Sequence, residues 1–251
     1  MNIDLKGKIA VITGATGQLG RVMARTLSSC GADIAVCYNS NTKMADSLAN
    51  EIRSMGRRAL PVQADITNEV SINQMRDKIR AELGDADIVV NNAVIQYEWK
   101  SVLEQSPDDF KSQFDSCVMH SVFMAKAFLP GMMARKSGRF IGINTECSAL
   151  CNANTGAYAS AKRGMDGLYR VLAKEAGASG VTVNQVAPGW TISDRDREQH
   201  TEENLSYSAN VPLRRRGIDQ EIANVVLFLA CDLASFVTGV CIPVSGGNVM
   251  V

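Results

Sequence analysis

Short apolar runs alternate with longer amphipathic stretches along the whole chain. Residues 18–29, 42–55 and 70–83 repeat apolar side chains at the three- to four-residue spacing of helices. Parallel strands need helical crossovers, so the alternation predicts an α/β fold with a doubly wound, mostly parallel seven-stranded sheet and helices on both faces. The predicted strands, apolar nearly throughout, are residues 8–13, 33–38, 58–63, 87–91, 139–144, 181–186 and 241–245.

No composition break divides the chain. The 251 residues contain no linker rich in proline, glycine or serine and no low-complexity tract, and 46% of them are hydrophobic. A single domain over residues 1–251 is therefore predicted. The longest polar stretch, residues 191–211, is predicted to be a lid over a ligand cleft.

The charge balance excludes several kinds of partner. With 26 basic and 26 acidic side chains, neither nucleic acid nor an anionic membrane is expected to bind. The sequence contains no run of 18 apolar residues, so no membrane span is predicted. The N-terminus lacks signal-peptide architecture, and a cytoplasmic protein is expected. The cysteines form no CxxC pair and neither histidine stands at a metal-ligand spacing, so no metal site is predicted.

A buried strand runs into a glycine-rich turn and then a helix at residues 11–22. Three glycines in a GxxGxxG spacing permit a tight turn, a close approach to phosphate and close packing of the helix on the strand. The helix N-terminus adds oriented N–H groups and partial positive charge. An ordinary strand–helix turn is the alternative, but the position after the first strand favours a dinucleotide. The predicted contacts are Gly14, Thr16, Gly17, Gln18, Leu19 and Gly20.

The end of the second predicted strand distinguishes the two nicotinamide dinucleotides. Enzymes that use NAD normally place Asp or Glu there to accept hydrogen bonds from the ribose, and this chain has no carboxylate at that point. Asn39, Ser40 and Asn41 supply donors for a 2′-phosphate, and Lys43 supplies a positive charge. NADP is therefore predicted. The alternative is that these residues begin the next helix, with Asn41 or Thr42 as its cap.

A tyrosine and a lysine carry the strongest chemical signal. Tyr158 and Lys162 stand four residues apart, so a helix places them on one face. A free phenol has a pKa of about 10, and a nearby ammonium group lowers it toward neutral pH. Thr145, at the end of the fifth predicted strand, can hold the substrate oxygen. A solvated surface pair is the common alternative, but its combination with the glycine turn favours catalysis.

These motifs make the chain similar to the short-chain dehydrogenases/reductases, and within them to compact members such as 3-oxoacyl-carrier-protein reductases. The resemblance covers almost the whole length, with TGATGQLG, ADIT, NNA, YASAK, VNQVAPGW and TGVCIPVSGG in the family's order. It implies a Rossmann-type domain and an NADP(H)-dependent exchange between a ketone and a secondary alcohol. A homotetramer is also implied, with the helices around 107–135 and 155–177 packed against their copies.

The resemblance implies roles for matching residues. Tyr158 gives or takes the proton, Thr145 polarises the substrate oxygen, and Lys162 tunes the tyrosine and holds the nicotinamide ribose, so Tyr158 and Lys162 also count as cofactor contacts. The other implied cofactor contacts are Asp65 and Ile66 near the adenine, Asn92 and Ala93 along the adenosine ribose, and Pro188, Gly189, Thr191 and Ser193 at the nicotinamide.

Several positions depart from the family pattern. Gln18 takes the place of the middle glycine, Val94 replaces the glycine of NNAG, and Thr145 replaces the usual serine. Val118 stands where the family has the asparagine that supports a water-mediated proton path from the lysine. This predicts slow regeneration of the tyrosine proton unless Ser116, His120 or a rearranged water supplies another path.

Two other functions stay open on the sequence alone. The glycine spacing and Val118 are compatible with a nucleotide-binding regulator or a weakened enzyme. The same spacing occurs in nucleotide-sugar epimerases and dehydratases of the larger branch of the family, which usually carry a further substrate domain.

Other residues near the predicted site have ordinary interpretations. Glu146 is expected to be a solvated loop carboxyl group and residues 214–216 a solvated surface, while Gln96 and Trp99 are weak candidates for substrate contact. The charges of residues 191–211 mildly favour a polar substrate.

Overall fold

Seven parallel strands form one sheet in the order β3-β2-β1-β4-β5-β6-β7. The structure, a computed structural model, describes residues 3–250. The order reverses between β1 and β4, where the carboxyl ends of the strands open a crevice for ligands. The predicted fold class and all seven predicted strands are confirmed: β1 Ile9–Ile12, β2 Asp33–Tyr38, β3 Ala59–Gln63, β4 Ile88–Asn91, β5 Gly138–Ile143, β6 Val181–Pro188 and β7 Cys241–Val244.

Helices cover both faces of this sheet. Since successive side chains of a strand point to opposite faces, Ile12 packs into one core cluster with Leu27 and Val226, and Val11 packs into the other with Phe128 and Tyr169. The helices are α1 Gln18–Ser29, α2 Thr42–Ser54, α3 Glu69–Glu82, α4 Pro107–Phe114, α5 His120–Ala134, α6 Cys147–Leu150, α7 Gly156–Ala176, α8 Asp194–Gln199, α9 Leu205–Ser208 and α10 Asp219–Ala230.

A π-helical turn, Asp115–Met119, joins α4 to α5 and makes residues 107–134 one continuous helix. This 28-residue helix is long and apolar enough to span a membrane, whereas the sequence analysis predicted no segment of that kind. In the most apolar 18-residue part of this helix, 56% is buried inside the protein. The helix packs against α7, β4 and β5. That is how the core helix of a globular domain packs, so the apolar composition reflects the core.

Candidate active site

The glycine turn follows β1 and is fixed by close packing. Gly14 has a φ of +61°, and a Cβ there would lie 2.9 Å from Ala93 Cα. A Cβ at Gly20 would lie 2.3 Å from the Gly14 carbonyl oxygen, so α1 approaches the turn as closely as predicted. Asn92 holds the turn from β4, because its Nδ2 donates to the carbonyl oxygens of Thr13 at 3.0 Å and Gly14 at 3.1 Å.

A groove of about 430 Å³ extends from this turn to the end of β2. Gly17 caps α1 without a side-chain hydrogen bond, and the first turn of α1 has no acidic residue, so the helix N-terminus offers its N–H groups to an anion. These features fit a dinucleotide with its pyrophosphate at α1. The predicted contacts that line the groove are Gly14, Thr16, Gly17, Gln18, Leu19, Asn39, Ser40, Ile66, Asn92 and Ala93.

Two predicted cofactor residues, Asn41 and Asp65, also have local structural tasks. Asn41 is the N-cap of α2 and its side chain accepts from Met44 N at 3.1 Å, as the alternative interpretation had it. Asp65 Oδ1 accepts from the N–H and the hydroxyl of Thr67 at 2.8 and 2.7 Å, which stabilises the turn after β3. Neither side chain lines the groove, since short polar side chains satisfy nearby backbone donors first.

Gln18 joins the glycine turn to the segment that follows β6. Its Nε2 donates to the carbonyl oxygen of Ile192 at 2.6 Å and to Asp219 Oδ2 at 2.9 Å. Its Oε1 accepts from Asp194 N at 3.1 Å, and Arg21 pairs with the Asp194 carboxylate. The side chain that replaces the family's middle glycine therefore fastens the predicted lid to the cofactor turn.

The charges of the 191–211 stretch are used within the protein. Arg216 is only 3% exposed and its Nη2 lies 2.7 Å from Asp196 Oδ2, so one of the arginines assigned to a solvated surface is a buried anchor. This guanidinium lowers the pKa of Asp196. Ser193 caps α8 and its hydroxyl also binds Asp196. A polar substrate is therefore not indicated by these charges.

Thr145, Tyr158 and Lys162 meet where β5 ends beside α7. Lys162 is 4% exposed, its Nζ donates to the Ile143 carbonyl oxygen at 2.6 Å, and it lies 5.7 Å from the centre of the Tyr158 ring. The Thr145 hydroxyl hydrogen-bonds to Tyr158. Lys162 is thus buried and Tyr158 is half-buried at the cavity wall, which excludes the solvated surface pair.

The phenol of Tyr158 departs from its expected titration. Burial raises its pKa above the ordinary value, and the hydrogen bond from Thr145 opposes this only partly. The ammonium group of Lys162 is directed to a backbone carbonyl, so the lower Tyr158 pKa predicted from this pair is absent in the protein alone. Tyr158 is consequently protonated at neutral pH, the form in which a phenol donates a proton to a carbonyl oxygen.

Glu146 is buried and is not solvated. It is 5% exposed. Its Oε1 accepts from Trp190 N at 3.1 Å and from the Tyr207 hydroxyl at 2.8 Å, and its Oε2 accepts from Asn248 Nδ2 at 2.9 Å. The carboxyl group therefore ties α9, the loop after β6 and the C-terminal loop to one point.

A second cavity, of about 710 Å³, opens beside Thr145 and Tyr158, two of the predicted catalytic residues. Trp99 stacks on Tyr158 with ring centres 6.3 Å apart, and Trp190 meets Tyr207 edge to face at 5.4 Å. The lining is Trp99, Thr145, Glu146, Cys147, Asn152, Tyr158, Gly189, Trp190, Thr191, Ser206, Tyr207 and Asn210. The weak candidate Trp99 thus lies against Tyr158, whereas Gln96 lines the groove.

Val118 lies in the π-helical turn, 8% exposed, and its Cγ2 would be 3.3 Å from a Cβ at Gly164 of α7. His120 is 1% exposed and its Nδ1 lies 3.2 Å from the carbonyl oxygen of Ser116. Burial lowers the pKa of His120 to about 3, so the ring is neutral. Within residues 3–250, no three histidine, cysteine or acidic side chains cluster as metal ligands would.

Known proteins with similar sequences and structures place this site in a family. Residues 14–248 match the profile described as enoyl-(acyl carrier protein) reductase. The 3-oxoacyl-[acyl-carrier-protein] reductase FabG of Escherichia coli (strain K12) is 36% identical over 253 residues, covering 99% of this chain and 100% of that protein. The chain belongs to the short-chain dehydrogenase/reductase family. The predicted family and the predicted oxidoreductase class are therefore confirmed.

Solved members of the family share the whole fold. A 7α-hydroxysteroid dehydrogenase, complexed with NADH and 7-oxo glycochenodeoxycholic acid, aligns with a TM-score of 0.90 at 31% identity, covering 99% of this chain and 96% of its own. A blue fluorescent protein from a metagenomic library, in complex with NADPH, aligns with a TM-score of 0.90 at 30% identity, covering 98% and 100%.

Proposed function

We propose that the protein moves a hydride between NADP(H) and the carbonyl carbon of a small-molecule ketone, which interconverts the ketone with a secondary alcohol. Bound NADPH supplies the hydride. Tyr158 exchanges the proton at the carbonyl oxygen, Thr145 donates a hydrogen bond to that oxygen, and Lys162 adds positive charge behind the tyrosine. The observation that carries this proposal is the contact between the Thr145 and Tyr158 hydroxyls at the wall of the 710 Å³ cavity.

The cofactor and the reaction class are confirmed by the relatives. Of the two solved structures, the blue fluorescent protein binds NADPH and the 7α-hydroxysteroid dehydrogenase binds NADH. The residues at the end of β2 are therefore used to judge which cofactor this chain prefers. Asn39 and Ser40 line the groove there, and no carboxylate is among the lining residues. NADPH is accordingly the expected partner, and a screen of carbonyl compounds with NADPH and NADH, followed by loss of the reduced-nicotinamide absorbance, tests the whole proposal. Tight NADPH binding without turnover on a broad panel would favour the regulator instead.

Cofactor preference is expected to respond to one substitution. Ser40→Asp should narrow or reverse the preference for NADPH over NADH, because a carboxylate repels the 2′-phosphate and accepts from ribose hydroxyls. Fluorescence titration with each reduced cofactor measures both affinities. Ser40→Asn is the matched neutral control and should keep the preference. Tighter binding of NADH by the unsubstituted protein would refute this assignment.

Val118 is expected to limit how fast Tyr158 is reprotonated. An apolar side chain cannot hydrogen-bond a water, so the first turnover proceeds and later turnovers wait for the proton. Val118→Asn should raise steady-state turnover more than it changes NADPH affinity. Val118→Ala, which makes room without adding an amide, should not. If Val118→Asn lowers both turnover and melting temperature, the amide is buried without partners, at a cost of about 1–3 kcal/mol, and the relay argument fails.

A cytoplasmic homotetramer is also proposed. Apolar side chains project from the helices that the resemblance places at interfaces: Phe114 on α4 is 47% exposed and Val171 on α7 is 51% exposed. We expect a tetrameric mass by light scattering at micromolar concentration, and expect Phe114→Glu with Val171→Glu to reduce it. Val70→Glu, on the equally accessible outer face of α3, is the control. A monomeric mass for the unsubstituted protein would rule the tetramer out.

A further inference from the structure

Flat aromatic faces dominate the walls of the substrate cavity. The planes of Trp99 and Tyr158 lie at 28° to each other, so the two rings present neighbouring surfaces beside the reacting hydroxyl. Trp190 and Tyr207 meet at 80°, which turns a second pair of surfaces toward the same space. Aromatic walls of this kind favour ligands that stack or pack edge-on, rather than flexible chains.

Two of these rings, Trp190 and Tyr207, are held in place by neighbouring side chains. Arg216 Cζ lies 4.5 Å from the centre of the Trp190 ring, and its guanidinium is itself fixed by Asp196 at 2.7 Å and by the Thr191 carbonyl oxygen at 3.1 Å. Tyr207 is fixed by its hydrogen bond to Glu146. Because these side chains lose little freedom on binding, their surface contributes efficiently to affinity.

The charge of the cavity restricts the ligand as much as its shape. No lysine or arginine is among the residues that line the cavity within the described part of the chain. The lining carboxyl group, Glu146, already accepts three hydrogen bonds. A carboxylate or phosphate on the substrate would meet no cation here and would lie near Glu146. The other polar side chains, Asn152, Ser206 and Asn210, are uncharged and exposed.

We infer that the substrate is an uncharged ketone whose carbonyl group belongs to, or adjoins, a rigid ring system. This inference rests on the proposed function of the same site. The reacting carbonyl lies at Thr145 and Tyr158, the ring packs between Trp99 and Trp190, and the neutral amides bind any hydroxyl or second carbonyl at the far end. A cavity of about 710 Å³ has room for fused rings.

Three carbonyl compounds separate ring shape from charge. With NADPH and the full-length protein, we expect kcat/KM for 1-tetralone to exceed that for the acyclic acetoacetyl-N-acetylcysteamine thioester by about tenfold or more, since ring contacts of this kind discriminate by such factors. A tetralone that carries a carboxylate on its aromatic ring should be reduced about tenfold less efficiently than 1-tetralone. Equal or better reduction of the thioester or of the charged tetralone overturns the inference and leaves the proposed function standing. Reduction of none of the three overturns the inference, and turnover on the broad carbonyl panel then decides whether the proposed function stands.

Binding can be followed without turnover because both tryptophans of the chain, Trp99 and Trp190, line this cavity. In the Tyr158→Phe protein with NADP bound, 1-tetralone should quench the tryptophan fluorescence saturably, and the thioester should not at the same concentrations. Absence of saturable quenching by 1-tetralone, or equal quenching by both compounds, overturns the inference.

Substitution of the two rings gives the last test. Trp99→Leu and Trp190→Leu should each raise KM for 1-tetralone about fivefold or more, because stacking surface is lost, while KM for the thioester changes little. Trp99 is 53% exposed and its replacement leaves the fold intact even if Trp190→Leu loosens the lid. Leu205→Ala, at an 80% exposed position of α9 outside the cavity lining, is the control. An unchanged KM for 1-tetralone in Trp99→Leu overturns the inference.

Discussion

Replacement of Tyr158 by phenylalanine is expected to lower kcat by about 100- to 10,000-fold, the range that a positioned general acid contributes. The substitution removes one hydroxyl and little volume, so the contact of the ring with Trp99 and the affinity for NADPH should remain. Steady-state reduction of a carbonyl substrate and fluorescence titration with NADPH measure the two quantities on the same preparation.

Tyr97 provides a matched control for that experiment. Its hydroxyl accepts from Tyr158 N at 3.0 Å, so Tyr97→Phe removes a hydroxyl from the same neighbourhood without touching the proton donor. We expect most of the activity to survive in Tyr97→Phe. A Tyr158→Phe protein with full activity would show that Tyr158 is not the acid.

Replacement of Glu146 by alanine is expected to lower the free energy of unfolding by about 2 kcal/mol or more. It removes the acceptor of the Tyr207 hydroxyl and of Asn248 Nδ2, at about 1–3 kcal/mol each, whereas Trp190 N keeps the Tyr207 hydroxyl as an acceptor at 2.9 Å. For a chain of this size that corresponds to a fall in melting temperature of roughly 4–8 °C. The loss should also raise KM for the substrate, because Trp190 and Tyr207 lose the group that positions them. Thermal unfolding and steady-state kinetics measure the two effects.

Glu146→Gln separates the hydrogen bonds from the size of the side chain. The amide oxygen can still accept from Trp190 N and Tyr207, whereas the amide nitrogen would face the Asn248 Nδ2 donor. An intermediate fall in melting temperature is expected. If Glu146→Ala is as stable as the unsubstituted protein, Glu146 does not organise the lid.

The sequence predicted what depends on local periodicity. The strand and helix patterns of the first half placed α1, α2 and α3 within one or two residues of their observed ends, because apolar spacing is set within each element. The proximity of Tyr158 and Lys162 could be predicted because their spacing is a helical repeat. The cofactor contacts predicted for Asn41 and Asp65 stay predictions, and their side-chain oxygens also accept from neighbouring backbone donors.

Residues whose partners are distant along the chain were misjudged. Glu146 looked like a solvated carboxyl group because Tyr207 is 61 positions away, and Arg216 looked like surface because its partner Asp196 is revealed only by the folded lid. The π-helical turn at Val118 likewise has no counterpart in the periodic pattern. Such contacts are set by the tertiary fold, so the residues adjacent in sequence do not reveal them.

The side chain of Gln18 hydrogen-bonds to Ile192, which is 174 residues away along the chain, and to Asp219, which is 201 residues away. A Gln18→Gly substitution would leave the Asp194 N–H without its acceptor and remove one partner of Asp219. The position of the segment after β6 therefore depends on a side chain of the glycine turn, so a change at either end is transmitted to the other.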